Sequence, residues 1–217
     1  GGGSFANWHE PERMGFGALR VINDDWIAPQ SGFGEHSHNN FEIITIVRGG
    51  AVTHKDSMGN IKEVKAGEVQ VMSAGTGVTH AEFNRGAEPL VLFQIWIEPN
   101  KKNIPPSYDQ KAFDEKDRVN EWQIVVSDGS VPGSLAIQQD VRIALVDIVS
   151  SGGNEKTIDY QVSQKGNGVY LMVVEGSVTV VGQTLGTRDA IGITDIETIS
   201  ISTHENVSLL LIEVPML

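Results

Sequence analysis

The chain has 217 residues with 24 Gly and 8 Pro, enough for one large or two small β domains that each bury a core. It contains no cysteine, which excludes disulfide scaffolds, thiolate catalysis and cysteine-based metal sites, so any metal must be held by nitrogen and oxygen. Sixteen Lys+Arg against 28 Asp+Glu give a net charge of −12, which opposes binding to nucleic-acid phosphates or to anionic lipid.

In chain order, short segments rich in Val, Ile, Thr and aromatic residues recur at Phe41 to Val47, Val69 to Met72, Leu90 to Ile97 and Trp122 to Val126. They continue at Val141 to Val149, Val169 to Val174, Ser177 to Val181 and Val207 to Val214. Such residues favour pleated, half-buried strands, and the spacing predicts an all-β sandwich or barrel with few short helices. Turn-forming strings separate the segments: Arg48-Gly49-Gly50, Ser57-Met58-Gly59-Asn60, Lys65-Ala66-Gly67, Asp128-Gly129 and Glu175-Gly176. Pro99, Pro105 and Pro106 adjoin a charged stretch from Asp109 to Arg118, which predicts a linker with one helical turn. The halves on either side repeat a strand, tight turn, strand pattern, at 43–52 and again at 171–178. A duplicated β unit follows, with domains at 4–104 and 121–217 joined by a linker at 105–120.

Two pairs of candidate ligands stand out. His36 and His38 are one pair; His80 and Glu82 are the other. On a strand, residues i and i+2 point to one face, so each pair aims two ligands the same way. Facing each other inside a barrel, they bring together three imidazoles and a carboxylate, a set suited to Fe, Mn, Ni, Cu or Zn. Glu42 shares strand parity with His36 and His38 and competes with Glu82 for the fourth position. Its other role is to orient an imidazole from behind. His54 has no evident partner and reads as a solvent-facing hairpin residue. His9 and His204 are isolated and are not expected to bind metal. Trp8, Trp26, Trp96 and Trp122 read as core or interface residues, and Phe33 and Phe41 as core or pocket lining.

The spacing His36-x-His38, then Glu42, then Gly49 resembles the first cupin motif, and Gly67 followed by Gly75, His80 and Asn84 resembles the second. Cupins are small jelly-roll barrels. A closer likeness covers nearly the whole chain. The strings GFGALRVINDD (15–25), HSHNNFEIIT (36–45), HKDSMGN (54–60), GEVQVMSAGTGVTHAEFN (67–84) and QIWIEP (94–99) resemble the pirin family. The resemblance implies two tandem cupin barrels, with the metal in the N-terminal one and a degenerate, metal-free C-terminal one. It places the ligands on His36, His38, His80 and Glu82. It also implies one divalent metal, Fe(II) first, with Cu, Mn, Ni, Co or Zn as substitutes. Asn39 departs from the arginine usual in the family after His-x-His, and Ala81 from its serine. Asn39 bears on the charge at the pocket mouth, whereas Ala81 should face away from the metal.

The activity implied by this resemblance is that of a quercetin 2,3-dioxygenase. Such an enzyme would use O₂ to open a flavonol or related aromatic ring, with Glu82 as general base. The competing expectation is a non-enzymatic module whose iron responds to redox state and alters binding of a protein partner. No apolar run approaches the roughly 20 residues of a spanning helix. With no basic-then-apolar opening, a cytoplasmic monomer with no membrane contact is expected.

Overall fold

The computed structural model describes residues 15–217 and, for backbone alone, Phe5–Asn7; Trp8 and His9 lie outside the described residues. The first strands are β1 (Phe5–Asn7), β2 (Leu19–Ile27), β3 (Ser31–His38), β4 (Glu42–Gly49), β5 (Ala51–Asp56), β6 (Ile61–Lys65) and β7 (Glu68–Ser73). Next come β8 (Val78–Asn84), β9 (Leu90–Ile97), β10 (Ser107–Ala112), β11 (Gln123–Ser127), β12 (Leu135–Ala136) and β13 (Arg142–Ile148). The last are β14 (Lys156–Gln161), β15 (Gly168–Glu175), β16 (Val178–Val180), β17 (Gln183–Leu185), β18 (Ala190–Thr194), β19 (Thr198–Thr203) and β20 (Val207–Val214). The only helical segments among the described residues are two 3₁₀ turns, Glu115–Arg118 and Ser151–Gly153. Asp114 caps the first by accepting from the Lys116 amide at 3.0 Å. The all-β expectation holds, and the two units are tandem cupin barrels.

The N-terminal unit comprises Leu19–Phe113 and Asp128–Gln139. One of its sheets runs β10-β7-β4-β9-β2 and the other β3-β8-β5-β6. Alternation along the strands sends aliphatic side chains inward. Ile27, Val47, Val52, Val64, Leu90 and Leu92 form one buried cluster, and Ile43, Met72, Ala74 and Val78 form another. The charged stretch expected to be linker folds differently. Ser107–Ala112 pairs antiparallel with β7 along its whole length, because its alternating pattern lets Tyr108 and Gln110 turn inward while Lys111 and Asp109 face out.

The C-terminal unit comprises Asp114–Ser127 and Asp140–Leu217 together with Phe5–Asn7 and the segment 15–18. Phe16 lies beside the Tyr170 ring, and the Ala18 amide donates to the Pro215 carbonyl at 3.0 Å. Within this unit one sheet carries β1-β18-β15-β20-β13-β11 and the other β14-β19-β16-β17. The second of these repeats the N-terminal order β3-β8-β5-β6. Its inward pairs are Ile158/Tyr160, Ile199/Ile201 and Val178/Val180, all buried in one aliphatic core. The C-terminal interior is therefore packed with side chains. Glu213, its one buried carboxylate among the described residues, accepts from the Tyr160 hydroxyl, the Ser163 amide and hydroxyl, the Gln164 amide and the Asn167 side-chain amide.

Candidate metal centre

Three adjacent strands of the small N-terminal sheet each present an inward i, i+2 pair. β3 gives His36 and His38, β8 gives His80 and Glu82, and β5 gives His54 and Asp56. Register sets them in rows. His36 lies opposite His80, Asp56 opposite His80, and His54 opposite Glu82. Ala81 falls on the outward phase of β8, as its parity requires. The matching pairs in the C-terminal barrel, Ile158/Tyr160, Ile199/Ile201 and Val178/Val180, are aliphatic or Tyr.

Strand β3 reaches its position through a close approach. A Cβ on Gly32 would stand 2.3 Å from the Glu82 carbonyl oxygen and 2.6 Å from the Phe83 Cα. A bulge between Phe33 and His36 then resets the phase so that the histidines face inward. Gly32→Ala should push β3 off β8. We expect a loss of about 1–3 kcal/mol, the usual cost of overpacking, together with weaker metal retention. Thermal melts and metal titration of the variant check both.

Ligand-capable atoms of His36, His38 and His80 lie within 4.8 Å of one another, and so do those of His54, His80 and Glu82. His80 belongs to both sets. The ring centroids of His36 and His80 are 4.3 Å apart, and those of His38 and His80 are 5.0 Å apart. Three close imidazoles repel as cations, and burial penalises charge further. The His80 pKa is pushed down to about 3, first by burial and then by His36, His38 and His54, against a small opposing pull from Asp56. Burial, followed by the proximity of His36, lowers His38 as well. Both shifts favour the neutral rings of His38 and His80, which keep a lone pair for a ligand.

Their hydrogen bonding is incomplete in a telling way. His36 Nδ1 bonds to the Gly34 carbonyl at 2.8 Å, which leaves Nε2 as its lone pair. His38 Nε2 and both nitrogens of His80 are buried and have no hydrogen-bond partner in the protein. Buried polar atoms are rarely left so. A cation among them would supply what they lack, and the donor set of imidazole nitrogen and carboxylate oxygen fits a divalent transition metal.

Glu82 is held from the opposite sheet. Its Oε1 accepts from the Gln94 side-chain amide at 2.9 Å and its Oε2 from that of Gln70 at 3.4 Å. Trp96 Nε1 donates to the Gln94 carbonyl oxygen at 3.2 Å, and the Tyr108 hydroxyl lies 2.9 Å from that of Gln70. Burial, followed by the Glu82 and Asp56 carboxylates, raises the Tyr108 pKa, so the phenol keeps its proton to donate. Trp96 also sets its ring edge-on to His38 at 4.7 Å and packs against Phe41 at 5.5 Å.

Glu42, the rival carboxylate, belongs to neither set. It is 1 % exposed and accepts from Ser73 Oγ at 2.8 Å and from the Gln138 amide. Burial pushes its carboxyl above the ordinary 4.5, against a downward pull from those two donors. Between 4.5 and that raised value the folded chain keeps a proton that the unfolded chain releases, so stability contributed by this group is lost as pH rises. Glu42→Gln should remove that component. The variant's melting temperature relative to the parent should therefore climb from pH 4 to pH 7, with metal content unchanged.

His54 departs most from expectation. It is fully buried rather than solvent-facing. Its Nε2 stands 2.6 Å from Asp56 Oδ2, and its ring lies 5.6 Å from His80 and 4.6 Å from Tyr108. Asp56 at i+2 was the available signal, hidden because its string reads as a turn. Phe33 and Trp26 are exposed, at 52% and 64%, rather than core. Trp122 is half-buried against Tyr160. A cavity of about 260 Å³ opens beside His38, lined also by Ser37, Asn39, Ser57 and Thr76 through Thr79.

Fold and inward residues together define a bicupin with one polar barrel and one aliphatic barrel. Residues 3–97 match the family described as Pirin, and residues 124–214 match the Quercetinase C-terminal cupin domain. The chain is 42% identical over 213 residues to the quercetin 2,3-dioxygenase of Escherichia coli K12, covering 98% of this chain and 89% of that one. It is 42% identical over 211 residues to a pirin-like protein of Caulobacter vibrioides, covering 97% and 89%. The crystal structure of the Escherichia coli bacterial pirin YhhW in complex with nickel(II) superposes with a TM-score of 0.86 at 40% identity, covering 99% of this chain and 90% of that one. The chain belongs to the pirin family.

Proposed function

We propose that the protein is a metal-dependent dioxygenase that opens a flavonol or related aromatic ring, with His36, His38, His80 and Glu82 holding one divalent ion, natively Fe(II). The observation that carries this reading is the group of buried imidazole nitrogens on His38 and His80 that lack any protein partner. The family relation adds the reaction class: a relative of 42% identity bears the name quercetin 2,3-dioxygenase. The nickel(II) complex of YhhW, 40% identical, supports a divalent ion in this chain.

A metal bound there would acidify a coordinated hydroxyl and activate O₂. The remaining work falls to side chains. The 260 Å³ cavity beside His38 is lined by Ser37, Asn39, Ser57 and Thr76 through Thr79, and it gives the part of an aromatic substrate that lies away from the ion a place next to His38. Glu82 accepts the 3-hydroxyl proton at a carboxylate oxygen. Gln94 and Gln70 keep that carboxylate fixed while its charge changes, since their own amides are held by Trp96 and Tyr108.

Anaerobic loading with Fe(II), followed by quercetin and O₂, tests the reading. Metal-dependent quercetin loss with matching O₂ uptake and carbon monoxide release is expected. No turnover with Fe(II), Ni(II), Mn(II), Co(II) or Cu(II) would overturn it.

A further inference from the structure

The string Asp56-Ser57-Met58-Gly59-Asn60 does more than reverse the chain. It wraps its own first residue. Asp56 Oδ1 accepts from the Met58 amide at 2.9 Å, the Asn60 amide at 3.1 Å and the Asn60 side chain at 3.2 Å. Oδ2 accepts from the Asn60 side chain at 3.0 Å and from His54 Nε2 at 2.6 Å. The 2.6 Å contact with Asp56 Oδ2 puts the hydrogen of a neutral His54 on Nε2 and leaves the lone pair on Nδ1. That Nδ1 is buried and has no partner in the protein. A carboxylate behind an imidazole with its far nitrogen free is the arrangement that orients histidines toward metals. His54 lies in a set with His80 and Glu82 whose ligand-capable atoms are within 4.8 Å of one another, all three side chains buried.

We propose that the barrel has a second, inner divalent-cation position formed by His54, His80 and Glu82, with the Asp56 carboxylate fixing His54 for it. This rests on the proposed function for the outer position, held by His36 and His38 with His80 and Glu82, the last two being common to both positions. A neutral imidazole offers one lone pair, so His80 serves one position at a time. The chain therefore holds one ion in either of two places, and loss of the outer ligands drives it inward rather than out.

Cobalt(II) titration of the metal-free chain tests this, because its visible absorption reports ligand number and type. The wild type should bind one Co(II). The variant His36→Ala/His38→Ala should still bind one Co(II), more weakly and with a shifted spectrum. Adding His54→Ala should abolish that residual binding. Adding Asp56→Asn instead keeps the buried shape and should weaken it by about 10–100-fold, the usual effect of removing a carboxylate behind a liganding histidine. Circular dichroism of each metal-free variant separates misfolding from lost ligation. If the double variant binds no Co(II), the inner position is wrong and the three-histidine reading stands. Binding in the double variant that ignores His54→Ala also overturns it. Wild-type strength in both would overturn the outer assignment as well.

Discussion

His80→Ala should abolish specific metal binding, with affinity falling by more than about 100-fold, the upper end of what is lost when only a residue behind a ligand is removed. The reason is its place in the register, where it faces His36 on one side and Asp56 on the other and belongs to both ligand sets. No alternative donor replaces it. Stability of the metal-free chain should change little, within about 1 kcal/mol. The deleted ring leaves a hole, but it also removes two buried nitrogens that have no partner. Metal should then separate the two proteins. At an ion concentration 100 times its dissociation constant, the wild type gains about 2.7 kcal/mol and the variant gains none. Melting curves with and without Ni(II), read beside quercetin turnover, check this. A variant that still melts higher with Ni(II), by the wild-type margin, would remove His80 from the centre.

Glu213→Leu should be the most damaging single change outside that centre. The carboxylate is fully buried and collects five donors from Tyr160, Ser163, Gln164 and Asn167. An apolar replacement strands them at about 1–3 kcal/mol for each one that cannot reach water. Even if the Ser163 and Gln164 amides find solvent, the loss is about 4–5 kcal/mol, which places it among exceptional substitutions. For a chain of this length that is roughly 10–15 °C in melting temperature. Added metal should restore none of it, because the damage lies in the aliphatic barrel. Glu213→Gln keeps an acceptor and should fall between the two.

Part of this architecture is legible in the sequence. Leu90–Ile97 and Val207–Val214 are read to the residue, because β-branched and aromatic runs that bury on both phases leave little choice. The duplication shows in strand and turn vocabulary. The pairs at 36/38 and 80/82 follow from parity alone. Strand β3 is different: Ser31–His38 has no β-branched residue and is mostly exposed, so only its histidines mark it. Ser107–Ala112 carries charge on its outer phase and was hidden by neighbouring prolines. Asp128–Gln139 packs with the N-terminal unit across a sequence gap, which no local pattern announces. His54 pairs with Asp56, which borders the turn-forming string Ser57-Met58-Gly59-Asn60, so the sequence does not mark it as a partner. Gln70, Gln94 and Tyr108 are polar residues on strands of ordinary composition, and only the facing sheet reveals that they converge on Glu82.

The position of β3 has a further consequence. It ends the sheet order β3-β8-β5-β6, and within that sheet only β8 pairs with it. Two of the proposed ligands therefore sit on a strand stitched along one side. An ion held by His36, His38 and His80 fastens that free margin to its neighbour as a rivet would. Amide hydrogens from Gly32 to His38 should exchange quickly in the stripped protein and slowly in the loaded one, while those of β9 barely change. Deuterium uptake across one short peptide would then report how many molecules in a preparation carry metal.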